Sequence, residues 1–599
     1  MIPGKAILLQ FVFGLGSIAV LPFNNPPGVD IWCGKAYRET NSSFDPGGQL
    51  TAPEPSKSLL LDLRFYPRMN LYLSTEEKGS FIVDTPVSYI YGSPYENRTF
   101  EPNSPNASQP LPFRTLNIQI WNSLNNKILV PWGKVEVNST GKEFSFDLSL
   151  IDWTNTGSTR VRIIGTSPDG LQSYQSVSTV RILPPRNDTG SVSRIDQRYG
   201  ALQVKSSLTN DLWKPIFPYS FYTSYDWIVS TLNNASATKN LSTYRALGYN
   251  IIHPVPPWPL NVTVLKNFLT ICDELELYVM YDMRGTYQNT TAVTEIVALL
   301  QKHPSLLLYY TADEPDGAGD TLNATNIAFH HINNLDPYHP ISLVLNCANF
   351  YFGEYASGAH IILEDTYPIA ANTSFSPVYH TVCNSTWGDC GCDDCHAGDP
   401  AYPEYVKNKF LDISTRMDDF YRYQEWLGWA SQGTRGAGGA PVWGVPQAFY
   451  DQGSFWSRFP TPEEEVVMGI LRLNHGAKGI VAWIYPTSEP IEKVTGQLAT
   501  LASGTEFTSY TLEADGVPLE VIGGNGLVDA TAWVKHGKVL VSVVYLGYED
   551  HVWHVNVVLP TRVEKIEKTL WGKGDWKVGN GTIYTSTLKG LEVSILLLS

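Results

Sequence analysis

Leu306-Leu-Leu-Tyr-Tyr-Thr-Ala-Asp-Glu-Pro-Asp-Gly317 is a stretch of the chain where a long apolar run stops on two carboxylates. Leu306 to Ala312 has the length and composition of a strand buried on both faces, with His303-Pro304 ahead of it and Asp316-Gly317 behind. Asp313 and Glu314 therefore fall at its carboxyl end. In an α/β barrel that end carries the chemistry, because the loops leaving the strand tips form the active face while the opposite face is structural. A plainer role is open to the same residues: Glu314-Pro315 can begin a helix whose dipole favours acids in its first turn. The rest of the chain has to decide between the two.

Outward from this stretch, from about Leu212 to Leu512, apolar runs alternate with helix-like segments. The expected strands are Pro218 to Thr223, Ile251 to Pro254, Leu277 to Asp282, Leu306 to Asp313, Ile341 to Cys347, His360 to Thr366, Val442 to Gln447 and Gly479 to Tyr485. Helical spacing falls at Val264 to Glu276, Ala292 to Lys302, Thr325 to Leu335, Tyr405 to Trp426 and Glu463 to His475. Eight such units in about 300 residues fit a (β/α)8 TIM barrel, in which each parallel strand needs a crossover helix. The alternative is an open doubly wound sheet, which calls for a glycine-rich phosphate turn after its first strand; Tyr222-Thr223-Ser224 supplies none.

On both sides the texture changes to short alternating runs. Leu59 to Phe65, Ser80 to Val83, Leu116 to Ile120, Phe144 to Leu148, Thr159 to Ile164 and Ser176 to Ile182 predict an N-terminal β-sandwich region. Leu519 to Ile522, Ala530 to Val534, Val539 to Val544, Val552 to Val558 and Leu591 to Leu598 predict a C-terminal antiparallel β-sandwich. Gly523-Gly524-Asn525-Gly526 inside it reads as a turn. The expected organisation is a signal peptide at 1–21, the N-terminal region at 22–206, a catalytic barrel at 207–515 and the C-terminal module at 516–599.

A chain of 599 residues exceeds what one core organises. Its 42 basic against 58 acidic residues, net charge -16, repel phosphate backbones and anionic membranes, so nucleic acid is not an expected partner. Lys5 followed by apolar residues to Leu21 has the layout of a secretory leader, and no later run reaches the roughly 18 apolar residues of a membrane span. A secreted, extracellular protein is expected. Thirteen sequons agree with that: Asn41, Asn97, Asn106, Asn138, Asn187, Asn234, Asn240, Asn261, Asn289, Asn323, Asn372, Asn384 and Asn580. Cys383, Cys390, Cys392 and Cys395 share one loop with His380 and His396; two local disulfides are preferred there to a zinc site, with three pairings open. Of Cys33, Cys272 and Cys347, at least one must be unpaired within the monomer.

The expected strand tips present Tyr222; His253 with Trp258; Asp282 with Arg284; Asp313 with Glu314; Asn346; Glu364 with Asp365 and Tyr367; Gln447 with Phe449; and Trp483 with Tyr485. Aromatic faces cover the C–H patches of a pyranose, while carboxylates, amides and arginine take its hydroxyls. Most of the 33 Tyr and 17 Trp are ordinary core or surface residues. The signal is the repeated arrival of polar groups at the same end of successive strands.

Several segments together resemble (β/α)8 glycoside hydrolases related to clan A, over roughly 212–490. They are Lys214-Pro-Ile-Phe-Pro-Tyr-Ser-Phe-Tyr222, Ala312-Asp313-Glu314-Pro315, Asp336-Pro-Tyr-His-Pro340, Asp365-Thr-Tyr-Pro368 and Gly476-Ala-Lys-Gly-Ile-Val-Ala-Trp-Ile-Tyr485. The resemblance implies Glu314 as general acid/base. Two departures stand out. Such enzymes carry a nucleophilic glutamate on strand seven, whereas Val442-Trp-Gly-Val-Pro-Gln447 has none and Asp451 lies beyond it; and the residue before the acid/base is usually Asn, here Asp313. A second carboxylate within a sugar's reach is still required. Glu364 and Asp365 are the first choice, with the roles of strands four and six open to reversal, as in barrel enzymes acting on α-linkages. An Asp313–Glu314 pair serving an acetamido sugar is another scheme, and Asp282 is a candidate for any of them. Desolvation by Tyr310, Trp483 and Tyr485, with repulsion from Asp313, is expected to raise the donor's pKa.

No G-x-S-x-G, H-E-x-x-H or P-loop occurs. Arg284 could bind a uronate, but an arginine at a barrel rim more often pairs with a neighbouring acid. The expectation is a secreted glycosidase acting on a carbohydrate substrate, with no metal or organic cofactor implied. The rival is a carbohydrate-binding or cell-surface protein on a barrel that has lost catalysis.

Overall fold

The computed structural model describes residues 31–32, 35–36, 48–95, 113–152, 157–232, 237–257, 261–371, 375–376, 381–382, 403–429, 439–451 and 456–599. The expected leader, Trp258, His380, His396, Cys33 and the cysteine loop of Cys383, Cys390, Cys392 and Cys395 lie outside them, as do Asn41, Asn97, Asn106, Asn234, Asn372 and Asn384.

Eight strands close into a parallel barrel in chain order: β1 (Tyr219–Ser224), β2 (Ile251–Val255), β3 (Tyr278–Asp282), β4 (Leu306–Asp313), β5 (Ile341–Leu345), β6 (Ile361–Glu364), β7 (Val442–Gly444) and β8 (Ile480–Tyr485). Their apolar runs follow from burial on two sides. Tyr222, Met280, Leu308, Val344, Trp443 and Val481 fill the interior, while Phe221, Val279, Tyr309, Leu343 and Ile362 face the helices. Helices Val262–Glu274, Thr290–Leu300, Ala324–Leu335, Leu411–Trp426, Pro462–Asn474 and Glu489–Ala502 supply much of the outer layer. The Pro462–Asn474 helix starts on a capping box, Thr461 accepting from the Glu464 N–H and Glu464 from that of Thr461. Asn261 and Asn289 cap the first two of these helices through Oδ1. Both are sequons, and a glycan on Nδ2 leaves that oxygen in place. All seven described sequon asparagines are exposed.

The amino-terminal end of the barrel is covered. Val192–Asp196, Ala201–Lys205 and Lys214–Ile216 form a three-stranded sheet, and its Ile195, Leu202, Val204 and Ile216 join the interior core. Upstream, a five-stranded sheet centred on Thr115–Asn122 and Ser158–Thr166 shares a core with the three-stranded sheet Lys142–Asp147, Lys78–Asp84, Arg64–Pro67. Downstream, five- and four-stranded sheets enclose a core of Val541, Val555, Ile583 and Leu596, and Trp533, Leu540 and Ile595 face the barrel's helices. Ile128–Glu136 and Ile566–Trp571 are strands that alternation did not mark: Pro131 and Trp132 sit at an irregularity of the first, and the second breaks register twice. Cys272 is buried and free, and Cys347 is in a disulfide whose partner is outside the described residues. Among the described residues no helix is long and apolar enough to cross a membrane.

Candidate active site

The site begins with a slip in register. Tyr310 of β4 pairs with Ser342 of β5, but Asp313 pairs with Val344, so three steps on one strand match two on the other. This bulge twists the strand end and re-aims its side chains. Glu314 follows with φ 47 and ψ 51, left-handed backbone that costs a non-glycine residue about 1–2 kcal/mol. It stands at the N-cap of a four-residue turn, Pro315–Ala318, yet its carboxyl caps nothing. The helix-starting role is not the one it fills.

Glu314 instead shares a side-chain hydrogen bond with Asp365, the residue just past β6. Two carboxyls can touch in this way only if a proton lies between them. Burial, then Asp365, Asp313 and Asp316, hold the Glu314 carboxyl well above the usual range. Asp365 is pushed up to about 7 by burial, with Glu364 and Asp313 adding repulsion. Its Oδ1 is buried with no hydrogen-bond partner. Asp316, which the sequence reading passed over, is driven by burial to about 7 and accepts from the Cys347 N–H at 2.9 Å, tying the β4 turn to β5.

Asp313 faces the other way. Tyr310 Oη donates to it at 2.5 Å and Arg284 Nη1 contacts its second oxygen. Arg284 also donates through Nε to Asp282 at 2.8 Å, and His253 Nε2 meets the same oxygen at 2.8 Å. The guanidinium lies over Trp483, 5.0 Å from its ring centroid. Tyr222 stacks on His253 at 4.0 Å and donates to Tyr310 Oη at 3.1 Å. Burial raises Asp282, but Arg284 and His253 outweigh it and hold the carboxylate below its ordinary value. Asp282 is therefore a fixed anion anchoring Arg284 beneath the mouth, not a spare acid. On the β6–β7 side Tyr367, Phe449 and Trp456 form an aromatic group, Tyr367 to Phe449 centroids being 5.2 Å apart.

Three expected site residues lie elsewhere. Glu364 is fully buried on the outer side of β6, where Arg472 of the Pro462–Asn474 helix donates to it at 2.6 Å and the Thr366 N–H at 2.9 Å. Strand alternation puts it opposite Asp365, so it cannot be the second acid. Gln447 exchanges hydrogen bonds of 3.0 Å with both backbone groups of Ile369. Tyr485 points away from the mouth into the layer of Phe221, Tyr244 and Trp227, donating to Glu492 at 2.7 Å. Asn346 lies beside Gly317, with its carbonyl accepting from Arg416 at 2.6 Å. Arg416, which acts electrostatically on Asp365, and Arg472 were missed because nothing in a helical arginine's local sequence says which strand it will face.

No protein-family model matches the chain, and no curated protein matches it. Solved structures similar to it include a GH2 β-galacturonidase from Eisenbergiella tayi bound to galacturonate, at 14% identity over 74% of this chain and 73% of that one, with TM-score 0.32. A β-glucuronidase from Ruminococcus gnavus in complex with D-glucuronic acid is 12% identical over 73% and 63%, with TM-score 0.31; the chain spans less than two thirds of that protein's length. A debranching enzyme from Nostoc punctiforme is 12% identical over 64% and 96%, with TM-score 0.37.

Proposed function

We propose that this chain is an exported glycoside hydrolase in which Glu314 is the proton donor and Asp365 the second carboxylate. The observation that carries the reading is the hydrogen-bonded Glu314–Asp365 pair between the tips of β4 and β6. One proton shared by two adjacent acids, Asp365 buried and Glu314 half-buried, leaves a neutral carboxyl beside an ionised one, the division of labour that glycoside cleavage needs. Asp365 attacks the anomeric carbon as the bond to the leaving oxygen breaks, and Glu314 delivers its proton to that oxygen. Glu314 then deprotonates a water that attacks the same carbon, and Asp365 leaves. Acids this close are nearer the roughly 5–5.5 Å separation of retaining enzymes than the roughly 6.5–9.5 Å of inverting ones, which favours double displacement.

The same geometry argues for a neutral sugar. Arg284 is already ion-paired with Asp282 and Asp313, so its charge is countered before a uronate could reach it, and Arg416, the cation that acts on Asp365, is buried and donates to the Asn346 carbonyl. Export is supported by the leader-like start and the exposed sequons. The test is release of reducing sugar from a panel of neutral and acidic glycosides, with the product anomer followed by NMR. Turnover of a neutral glycoside with retention, lost in Glu314→Gln, supports the reading; binding without turnover across the panel favours the non-catalytic rival. Recovery of the protein in the medium, with a mass shift on enzymatic deglycosylation, tests export.

A further inference from the structure

A cavity of about 540 Å3 lies at the other end of the barrel from Glu314, between the outer face of the N-terminal five-stranded sheet, the barrel floor and Ala514, Asp515 and Gly516 ahead of the C-terminal module. That volume is in the range of small-molecule sites. Its described lining carries Arg160, Arg181, Arg198 and Lys478 against a single carboxylate, Asp515. Arg198 takes that carboxylate with both arms of its guanidinium, Nη1 at 2.8 Å. Among the described residues Arg181 and Lys478 form no salt bridge. Arg181 reaches only the Asn333 amide oxygen, at 3.4 Å, and Lys478 Nζ donates to the Thr511 carbonyl at 2.9 Å. Burial lowers both, Lys478 to about 8. Asp336 acts on Arg181, and Asp515 and Asp196 on Lys478, only through space.

Half-buried cations with no directly paired carboxylate cost stability, and a chain of net charge -16 has no need of them for solubility. Tyr199, Phe329 and Tyr421 give the same cavity flat apolar walls. We infer that this cavity is an anion site, built between the two flanking regions and the barrel, for a ligand bearing a carboxylate, sulfate or phosphate group. The proposal is independent of the catalytic assignment. The chemistry is shared by free inorganic anions and acidic monosaccharides, and the experiment separates them.

The full chain is titrated with sodium sulfate, sodium phosphate, D-glucuronate and, as neutral control, glucose, at constant ionic strength, and thermal unfolding is followed. A saturable rise in melting temperature with the anions and none with glucose is expected, since a ligand binding only the folded state stabilises it. Arg181→Gln/Lys478→Gln is expected to weaken that response about tenfold or more while melting without ligand within a few degrees of the parent. Should the double variant unfold, Arg181→Lys serves instead: it keeps the charge, loses the planar fork and is expected to weaken the oxyanions without abolishing them. Saturation by sulfate or phosphate at the lower concentration assigns the site to free anions; D-glucuronate binding about tenfold tighter assigns it to an acidic sugar. No saturable shift, or one identical in parent and variant, overturns the proposal.

Discussion

At position 314 one side chain combines three unusual conditions: left-handed backbone, partial burial among other acids and a hydrogen bond to one of them. Backbone strain of this kind persists where surrounding structure over-determines it, and here the β4 bulge and the Asp316 anchor do so. Glu314→Gln keeps the shape and removes the shared charge. Turnover is expected to fall by about 10²–10⁴-fold with no loss of melting temperature, and a variant that keeps parental rates sinks the assignment. The pair also sets a pH profile. Asp365 loses its proton near about 7 and Glu314 well above its ordinary value, so activity is expected to rise through neutral pH and fall on the alkaline side. An optimum near 4–5, where free carboxylates titrate, would contradict the proton-sharing pair. Glu465 is a second anomalous acid, fully buried in the Pro462–Asn474 helix with both oxygens lacking hydrogen-bond partners, and burial pushes it up to about 8. The folded state holds this proton when the unfolded chain has released it, so stability falls as pH rises from about 4.5 to about 8. Glu465→Leu is expected to gain on the order of 3 kcal/mol at pH 7 and to flatten that slope, read from denaturant melts across the window.

Strand seven shows how an element can be emptied of chemistry by packing. A Cβ on Gly444 would lie 2.2 Å from Arg472 Cδ, so the glycine is the gap through which Arg472 reaches Glu364. The strand carries no acid at its tip: β7 ends at this gap, and Gln447, beyond it, holds the Ile369 backbone. Gly444→Ala is expected to displace Arg472 and leave Glu364 buried without its cation, at about 3–5 kcal/mol in a urea melt. A cost below about 1 kcal/mol would show that the arginine can shift freely. The eight barrel strands were legible from composition because burial on both faces demands unbroken apolar runs. Strand-tip orientation was not: Glu364 and Asp365 are neighbours in sequence, and only the pleat sends one to the helix layer and the other to the mouth.

At the scale of the molecule, the barrel is held between two β regions by ion pairs. Arg64 joins the N-terminal sandwich to Glu425 at 2.6 Å, and His475 bridges Asp418 of the Leu411–Trp426 helix and Asp529 of the C-terminal module at 2.8 and 3.1 Å. Burial lowers the imidazole, but its hydrogen bonds to the two aspartates outweigh that and raise it to about 10. Its contribution is complete below the unfolded value of 6.5 and is lost as pH climbs towards 10. In calorimetry His475→Gln is expected to melt lower than the parent at pH 6, the gap narrowing towards pH 10; a constant gap would assign the residue to packing. By itself, the sequence determined the barrel, its flanking β regions and Glu314 at a strand tip, because periodicity and turn residues are local properties of the chain. Only the tertiary structure decided that Asp365 is the partner, that Glu364, Gln447 and Tyr485 serve the scaffold, and that Arg284 is already engaged. Those outcomes depend on which side chains distant in the chain arrive at the same few ångströms, and no local pattern encodes that.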